Sequence, residues 1–264
     1  MAGNTKVALV LGAGSARGLA HIGVLQVLQE NRIDFDFIVG SSMGAMVGCV
    51  YACGADLYML DKLIEHMRTR ALFDPIVPKM GFMAGNRITE FLDLVTKKKT
   101  FADLEFPVIT VSTDLVTGMR VLTSEGSVTE AVRASISIPG VFTPLQKGDM
   151  ILVDGAVCDR LPVEVAREMG ADLTIAVDVT YGAGRKVTFS NTMDIILTSL
   201  DIMGQHHFDI VRQSADILIQ PAVRHINPRE FEKSREIVDL GRKAAEEQVQ
   251  EIKDKMALVR PERE

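Results

Sequence analysis

The stretch "FDFIVGSSMGAMVGCVYACG", residues 35–54, runs from an apolar segment with strand character directly into one with helical character. A glycine, two serines and another glycine stand at the join. The same alternation continues outward in both directions. Apolar runs read as strands at Lys6–Leu11, Phe35–Val39, Pro107–Ser112, Met119–Thr123, Met150–Val153, Leu173–Val179 and Asp216–Gln220. Helical periodicity lies between them, at Gly18–Glu30, Met43–Cys53, Asp56–Arg70, Arg87–Lys99, Val128–Ser135, Val163–Met169 and Thr192–Val211. Several of these strands are unbroken apolar runs, as expected when helices cover both faces of a parallel sheet. The pattern predicts an α/β fold, a three-layer α/β/α sandwich around a mostly parallel central sheet.

Composition agrees. The chain has 264 residues, 47% hydrophobic and 24% charged, enough for one domain with a sizeable core, and no Pro/Gly/Ser-rich linker divides it. A net charge of -6 argues against nucleic acid as a partner. The run Lys97-Lys98-Lys99 is expected to close a helix capped by Asn86, where cations suit the dipole. "VALVL" near the start is too short for a signal-peptide core or a membrane span, so the expected location is cytoplasmic, peripheral at the inner membrane surface if lipid is met there. Three cysteines, Cys49, Cys53 and Cys158, read as small apolar residues of a reducing compartment. The five histidines do not cluster, and no metal site is expected. From Arg229 to Met256 one long helix is expected, docking an apolar stripe of Phe231, Val238, Ala245, Val249, Ile252 and Met256 on the sheet.

Gly40-Ser41-Ser42-Met43-Gly44 fits Gly-x-Ser-x-Gly with Ser42 at its centre. A nucleophilic serine must leave a strand end and raise its hydroxyl before the helix starts, and the turn that does this crowds the backbone two residues to either side. Glycine at both flanks answers that crowding. The motif is short enough to arise by chance, and a serine here could instead cap the helix. By the same spacing Ser41 is the crowded neighbour.

A second glycine-rich turn lies upstream in "VALVLGAGSARGLAHIGVL", with Gly12, Gly14 and Gly18. As a dinucleotide fingerprint its spacing is one residue too long, and the second strand ends in Gly40 and Ser41 where a ribose-binding acid belongs. The other reading is a loop whose amides, from Gly14, Ser15 and Ala16, face a negative charge; beside a nucleophile that is an oxyanion hole. Activation of Ser42 by His206, His207 or His225 in a triad fits the chain order poorly, since only two strands precede the serine. "MILVDGAV" places Asp154 at the end of an apolar strand, followed by Gly155 and Ala156. It reads equally as a general base or as an ordinary Asp-Gly turn.

Gly-rich turn, serine elbow and Asp-Gly-Ala, in that order, resemble the patatin-like phospholipase family, particularly its short bacterial members. Gly12–Gly18 with Arg17, Gly40–Gly44, "RASISIPGVFTPL" at residues 133–145 and Asp154–Ala156 carry the resemblance, which covers about Val7 to Val179. It implies a Ser42–Asp154 dyad without histidine, an oxyanion loop, no metal or cofactor, and hydrolysis of lipid or phospholipid esters through an acyl-enzyme. An acyltransferase using the same serine, or a lipid-binding scaffold without catalysis, are the alternatives. Arg17 is expected either to brace its loop or to meet a phosphate. Ala13 and Ser15 stand where members commonly carry glycine, and a side chain there strains any position of positive φ. The methionine-rich segment Ala71–Gly85 is the expected place of transient contact with a lipid surface.

Overall fold

The computed structural model describes residues 5–67, 72, 74–77, 80–184, 192, 195, 196, 198, 199, 202, 203 and 212–260. Its strands are β1 Val7–Leu11, β2 Phe37–Ser41, β3 Gly81–Met83, β4 Val108–Asp114, β5 Arg120–Thr123, β6 Gly140–Phe142, β7 Leu145–Lys147, β8 Met150–Asp154, β9 Leu173–Val177 and β10 Ile217–Ile219. Its helices are α1 Ala20–Glu30, α2 Met43–Ala52, α3 Leu57–His66, α4 Asn86–Val95, α5 Val128–Ser135, α6 Val163–Glu168, α7 Ser234–Glu246 and α8 Val249–Val259. The main sheet runs β10-β9-β1-β2-β4-β8-β7, with β5 also on β4. Five neighbours, β10, β9, β1, β2 and β4, are parallel. β5 and β8 lie antiparallel to β4, and β7 antiparallel to β8.

Successive side chains of a strand face opposite sides of its sheet, and β1 shows what each side meets. Val7, Leu9 and Leu11 join a core with α1, α2, α5 and α7, whereas Ala8 and Val10 join a second core with α6. The apolar run is therefore buried on both faces, and the layers are helix, sheet, helix.

The placement of β8 matters most. β5 occupies one edge of β4 from Thr110 to Thr113. β2 and β8 must therefore share the other: Val108–Val111 pair with β2, and Ser112–Asp114 with β8. β2 ends at Ser41 opposite Val111, and β8 ends at Asp154 opposite Ser112. Two strands running in opposite directions thus meet end to end, and the residues at their tips become neighbours.

Other expectations need correcting. Asn86 is not the cap of α4. Gly85 takes that place at φ 89, and the Asp74 carboxylate accepts from the amides of Gly85 (2.8 Å) and Asn86 (2.7 Å). α4 stops at Val95, and Lys97 and Lys98 follow in a turn, each at φ 54. The C-terminal segment is two helices, not one, and α7 docks on α1 more than on the sheet. A Cβ on Gly23 would fall 2.1 Å from the Val238 carbonyl oxygen, and one on Gly241 2.1 Å from that of Ala20, so the two helices touch backbone to backbone. The break redirects α8, whose Lys255 Nζ reaches the Asp216 carbonyl at 2.6 Å and whose Ile252 is fully buried. Of the expected helix Thr192–Val211, the described positions from 192 to 203 are helical; His206 and His207 lie outside the described residues.

Candidate active site

Ser42 follows the last residue of β2 and precedes the first of α2, with φ 54 and ψ -121. A non-glycine residue at positive φ is strained and persists only where its surroundings impose it. Here they do. A Cβ on Gly40 would lie 2.6 Å from the Ala45 Cα, and one on Gly44 2.1 Å from the Leu11 carbonyl oxygen, so each flanking glycine permits a close backbone approach. Ser42 occupies the cap position of α2 but makes no capping hydrogen bond. Its hydroxyl donates instead to Asp154 Oδ2 at 2.6 Å. Ser41 faces away and donates to the Asp159 carbonyl at 2.8 Å.

Asp154 uses its two oxygens separately. Oδ2 takes the Ser42 hydroxyl, and Oδ1 accepts the Ala156 amide at 2.8 Å, holding the tight turn that starts at Gly155. Turn-former and partner of the serine are thus both its roles. Gly155 has no room for a side chain: a Cβ would lie 2.4 Å from the Val111 carbonyl oxygen and 2.6 Å from Ser41 Oγ. Burial pushes the Asp154 carboxyl up to about 6, against the opposing pull of the Ser42 hydroxyl, the Ala156 amide and the charge of Arg160. A carboxylate so destabilised takes a proton readily.

The loop Gly12–Gly18 lies against the start of α2. A Cβ on Gly18 would sit 2.4 Å from Met43 Cγ, and one on Gly44 2.9 Å from the Gly12 carbonyl oxygen. Its amides divide into two sets. Those of Gly12 (to Val177 O, 3.2 Å), Ala13 (to Arg160 O, 2.9 Å) and Ala16 (to Pro228 O, 3.1 Å) are committed to the protein. Ala16 is therefore removed from the expected oxyanion donors, and the Gly12 amide, elsewhere in the same loop, is likewise committed. Among the described residues, no hydrogen-bond partner is found for the amides of Gly14 and Ser15. Ser15 sits at φ 50, so the position where glycine is customary does carry the strain expected of a side chain there. Arg17 braces the loop: Nε donates to the Ile226 carbonyl at 2.7 Å and Nη2 to that of Arg224 at 2.9 Å.

Sequence reasoning passed over His21. It is fully buried, and its Nε2 lies 2.7 Å from the Gly12 carbonyl oxygen. Because a carbonyl can only accept, Nε2 carries the proton and Nδ1 is bare, with no partner among the described residues. Burial pushes the imidazole down to about 4, so it is neutral at pH 7. A polar residue within the otherwise apolar "LAHIGVL" was the available signal. His225, a triad candidate, pairs with Glu236 at 2.9 Å on the surface. Among the described residues, no group of three His, Cys, Asp or Glu could hold a metal ion, and no helix is long and apolar enough to cross a membrane. Of Ala71–Gly85, the residues Ile76, Val77, Met80 and Phe82 are exposed. Ala71, Phe73, Pro78 and Lys79 lie outside the described set.

Comparison with known proteins gives the same direction. An uncharacterized NTE family protein of Mycobacterium tuberculosis is 39% identical over 176 residues, covering 66% of this chain and 49% of the relative. The human patatin-like phospholipase domain-containing protein 6 is 33% identical over 190 residues, covering 68% of this chain and 14% of that protein. The chain thus spans about half the length of the mycobacterial relative and a small part of the human one. The solved structure of VipD from Legionella pneumophila shares the fold at a TM-score of 0.65 and 15% identity, covering 94% of this chain and 67% of that one. The sequence profile of the patatin-like phospholipases matches residues 9–167, which hold both turns and Asp154, and the chain belongs to that family.

Proposed function

We propose that the protein is a serine acyl hydrolase of lipid esters, working through a Ser42–Asp154 dyad. The observation that carries this reading is the 2.6 Å hydrogen bond from Ser42 Oγ to Asp154 Oδ2, made by a serine held at positive φ on a strand-to-helix turn. Asp154 accepts the hydroxyl proton as Ser42 Oγ attacks the ester carbonyl. The amides of Gly14 and Ser15, with the N-terminus of α2 behind them, receive the developing oxyanion. The alcohol leaves with the proton from Asp154, and an acyl-enzyme remains. Asp154 then takes a proton from water as the water oxygen attacks the acyl carbonyl, and returns it to Ser42 Oγ as the acyl–serine bond breaks and the fatty acid leaves.

The family supports an acyl chain as the group bound, and the exposed Ile76, Val77, Met80 and Phe82 support transient contact with a lipid surface. Each buried methylene contributes up to about 0.8 kcal/mol. The test is fatty-acid release from phospholipid and lysophospholipid vesicles in excess EDTA, alongside p-nitrophenyl esters of increasing chain length. Release without added calcium, with kcat/KM rising with chain length, is expected. Turnover of acetyl esters alone, with no release from any lipid, would leave a small-molecule esterase. Acyl transfer to an added alcohol in preference to water would make the protein an acyltransferase.

A further inference from the structure

The hydrogen-bond ladder between β2 and β4 is interrupted at the residue that bears the reactive hydroxyl. Ile38 N donates to the Pro107 carbonyl at 3.0 Å. In a parallel ladder the next rungs on that strand come every second residue. They fall from Gly40 to Ile109 and from Ser42 to Val111. The last of these is not made. The Ser42 amide donates instead to Ser135 Oγ at 2.9 Å, and Ser135 Oγ donates to the Val111 carbonyl at 2.6 Å. One hydroxyl from the end of α5 is inserted into the rung. It satisfies both backbone groups and holds the strands apart where Ser42 leaves the sheet.

The same short segment holds the other partner. The Asp154 amide donates to the Ser137 carbonyl at 3.0 Å. Ser137 is in turn fixed by Arg133, whose carbonyl accepts its hydroxyl at 2.7 Å and whose guanidinium donates to it. Residues 135–137 therefore grip the backbone of Ser42 on one side and of Asp154 on the other. Ser135 and Ser137 are both fully buried.

We propose that Ser135 is a positioning residue, which sets the distance between the nucleophile and its base by occupying the last β2–β4 rung. The inference rests on Ser42 being the nucleophile. Without the hydroxyl, either the rung closes directly, drawing Ser42 into the sheet, or two buried backbone groups lose their partner. Both change the elbow at the end of β2.

The test measures kcat and KM on a p-nitrophenyl ester for wild type, Ser135→Ala, Ser135→Gly and Ser42→Ala, normalised to folded protein by circular dichroism and gel filtration. Ser135→Ala is expected to lower kcat by about 10- to 100-fold, as sub-ångström misplacement of a reacting group does. KM should stay within about twofold, and the acidic limb of the pH profile should move to higher pH, because a displaced Ser42 hydroxyl no longer offsets the burial of Asp154. If Ser135→Ala does not accumulate folded, Ser135→Gly, which leaves room for a water in the hydroxyl's place, should still lose at least threefold in kcat. Wild-type kcat in the folded Ala or Gly variant, even with a lowered Tm, would overturn the proposal and leave Ser135 merely structural. Wild-type turnover by Ser42→Ala would instead overturn the reading of the nucleophile.

Discussion

Two strand-to-helix turns lie side by side at the ends of β1 and β2, and each holds one serine in the left-handed region, Ser15 at φ 50 and Ser42 at φ 54. The strain is similar but differently used. At the elbow it aims a side chain, and every polar group is committed: hydroxyl to Asp154, amide to Ser135. At the glycine-rich loop the flanking groups are tied down, Gly12 by His21 and Ala16 by Pro228, while the amides of Gly14 and Ser15 have no partner among the described residues. On the proposed function, one turn delivers a nucleophile and the other receives a charge. The lesson is that a strand–turn–helix pattern alone does not say which; the committed hydrogen bonds do.

If the elbow delivers the nucleophile, the largest effect belongs to Ser42→Ala, which should lower ester hydrolysis by several orders of magnitude in steady-state assays. Ser41→Ala, which loses only a bond to the Asp159 carbonyl, should remain folded and active. Equal losses in the two would erase the distinction within the elbow.

Asp154→Asn should come next, losing at least about a hundredfold in kcat because an amide cannot take the proton. It should also gain stability. The folded carboxyl, raised to about 6 from 3.8, binds more protons than the unfolded one between those values, so its ionisation costs stability as pH rises through them. At pH 8 that cost is about 3 kcal/mol. Thermal melts should therefore show the variant gaining on wild type at pH 8, with the difference closing near pH 4.

His21 gives the opposite sign in the other turn. Its folded value of about 4 lies below its ordinary 6.5, so the neutral form contributes stability that is lost as pH falls from 6.5 towards 4. His21→Leu should remove that pH dependence, leave the Gly12 carbonyl unpartnered at a cost of about 1–3 kcal/mol, and lower kcat about tenfold with KM unchanged. A change in KM alone would mean that the loop binds substrate and does not hold the oxyanion.

The smallest effect is that of Ser15→Gly. Glycine adopts positive φ without strain, so the variant should be more stable by about 1 kcal/mol, a Tm gain of a few degrees, with kcat within about threefold. A larger loss of kcat would assign the Ser15 side chain work that its backbone alone does not explain.

The sheet, its helices and the turn at Ser42 were legible because each depends on local pattern: apolar runs, helical spacing, and glycines two residues either side of Ser42. What escaped depends on partners far away in sequence. The Ala16 amide reads as free until Pro228 is brought to it, and Asn86 reads as a cap until Asp74 arrives to satisfy α4. The apolar run Met150–Val153 carries no sign of strand direction, yet it is the antiparallel placement of β8, sharing an edge of β4 with β2, that sets Asp154 against Ser42. Ser135 lay within a quoted motif, and only the missing rung shows what its hydroxyl does.

The most direct measurement of the dyad is the rate at which a serine-directed phosphonate labels the protein, followed across pH 4.5 to 9 with the adduct mapped by mass spectrometry. The adduct should lie on Ser42, with a rate that rises through an apparent pKa of about 6 and is flat above it. In Asp154→Asn the rate should be at least about a hundredfold lower and without that rise. An adduct on any other residue, or equal rates in the two proteins across the pH range, would contradict the account.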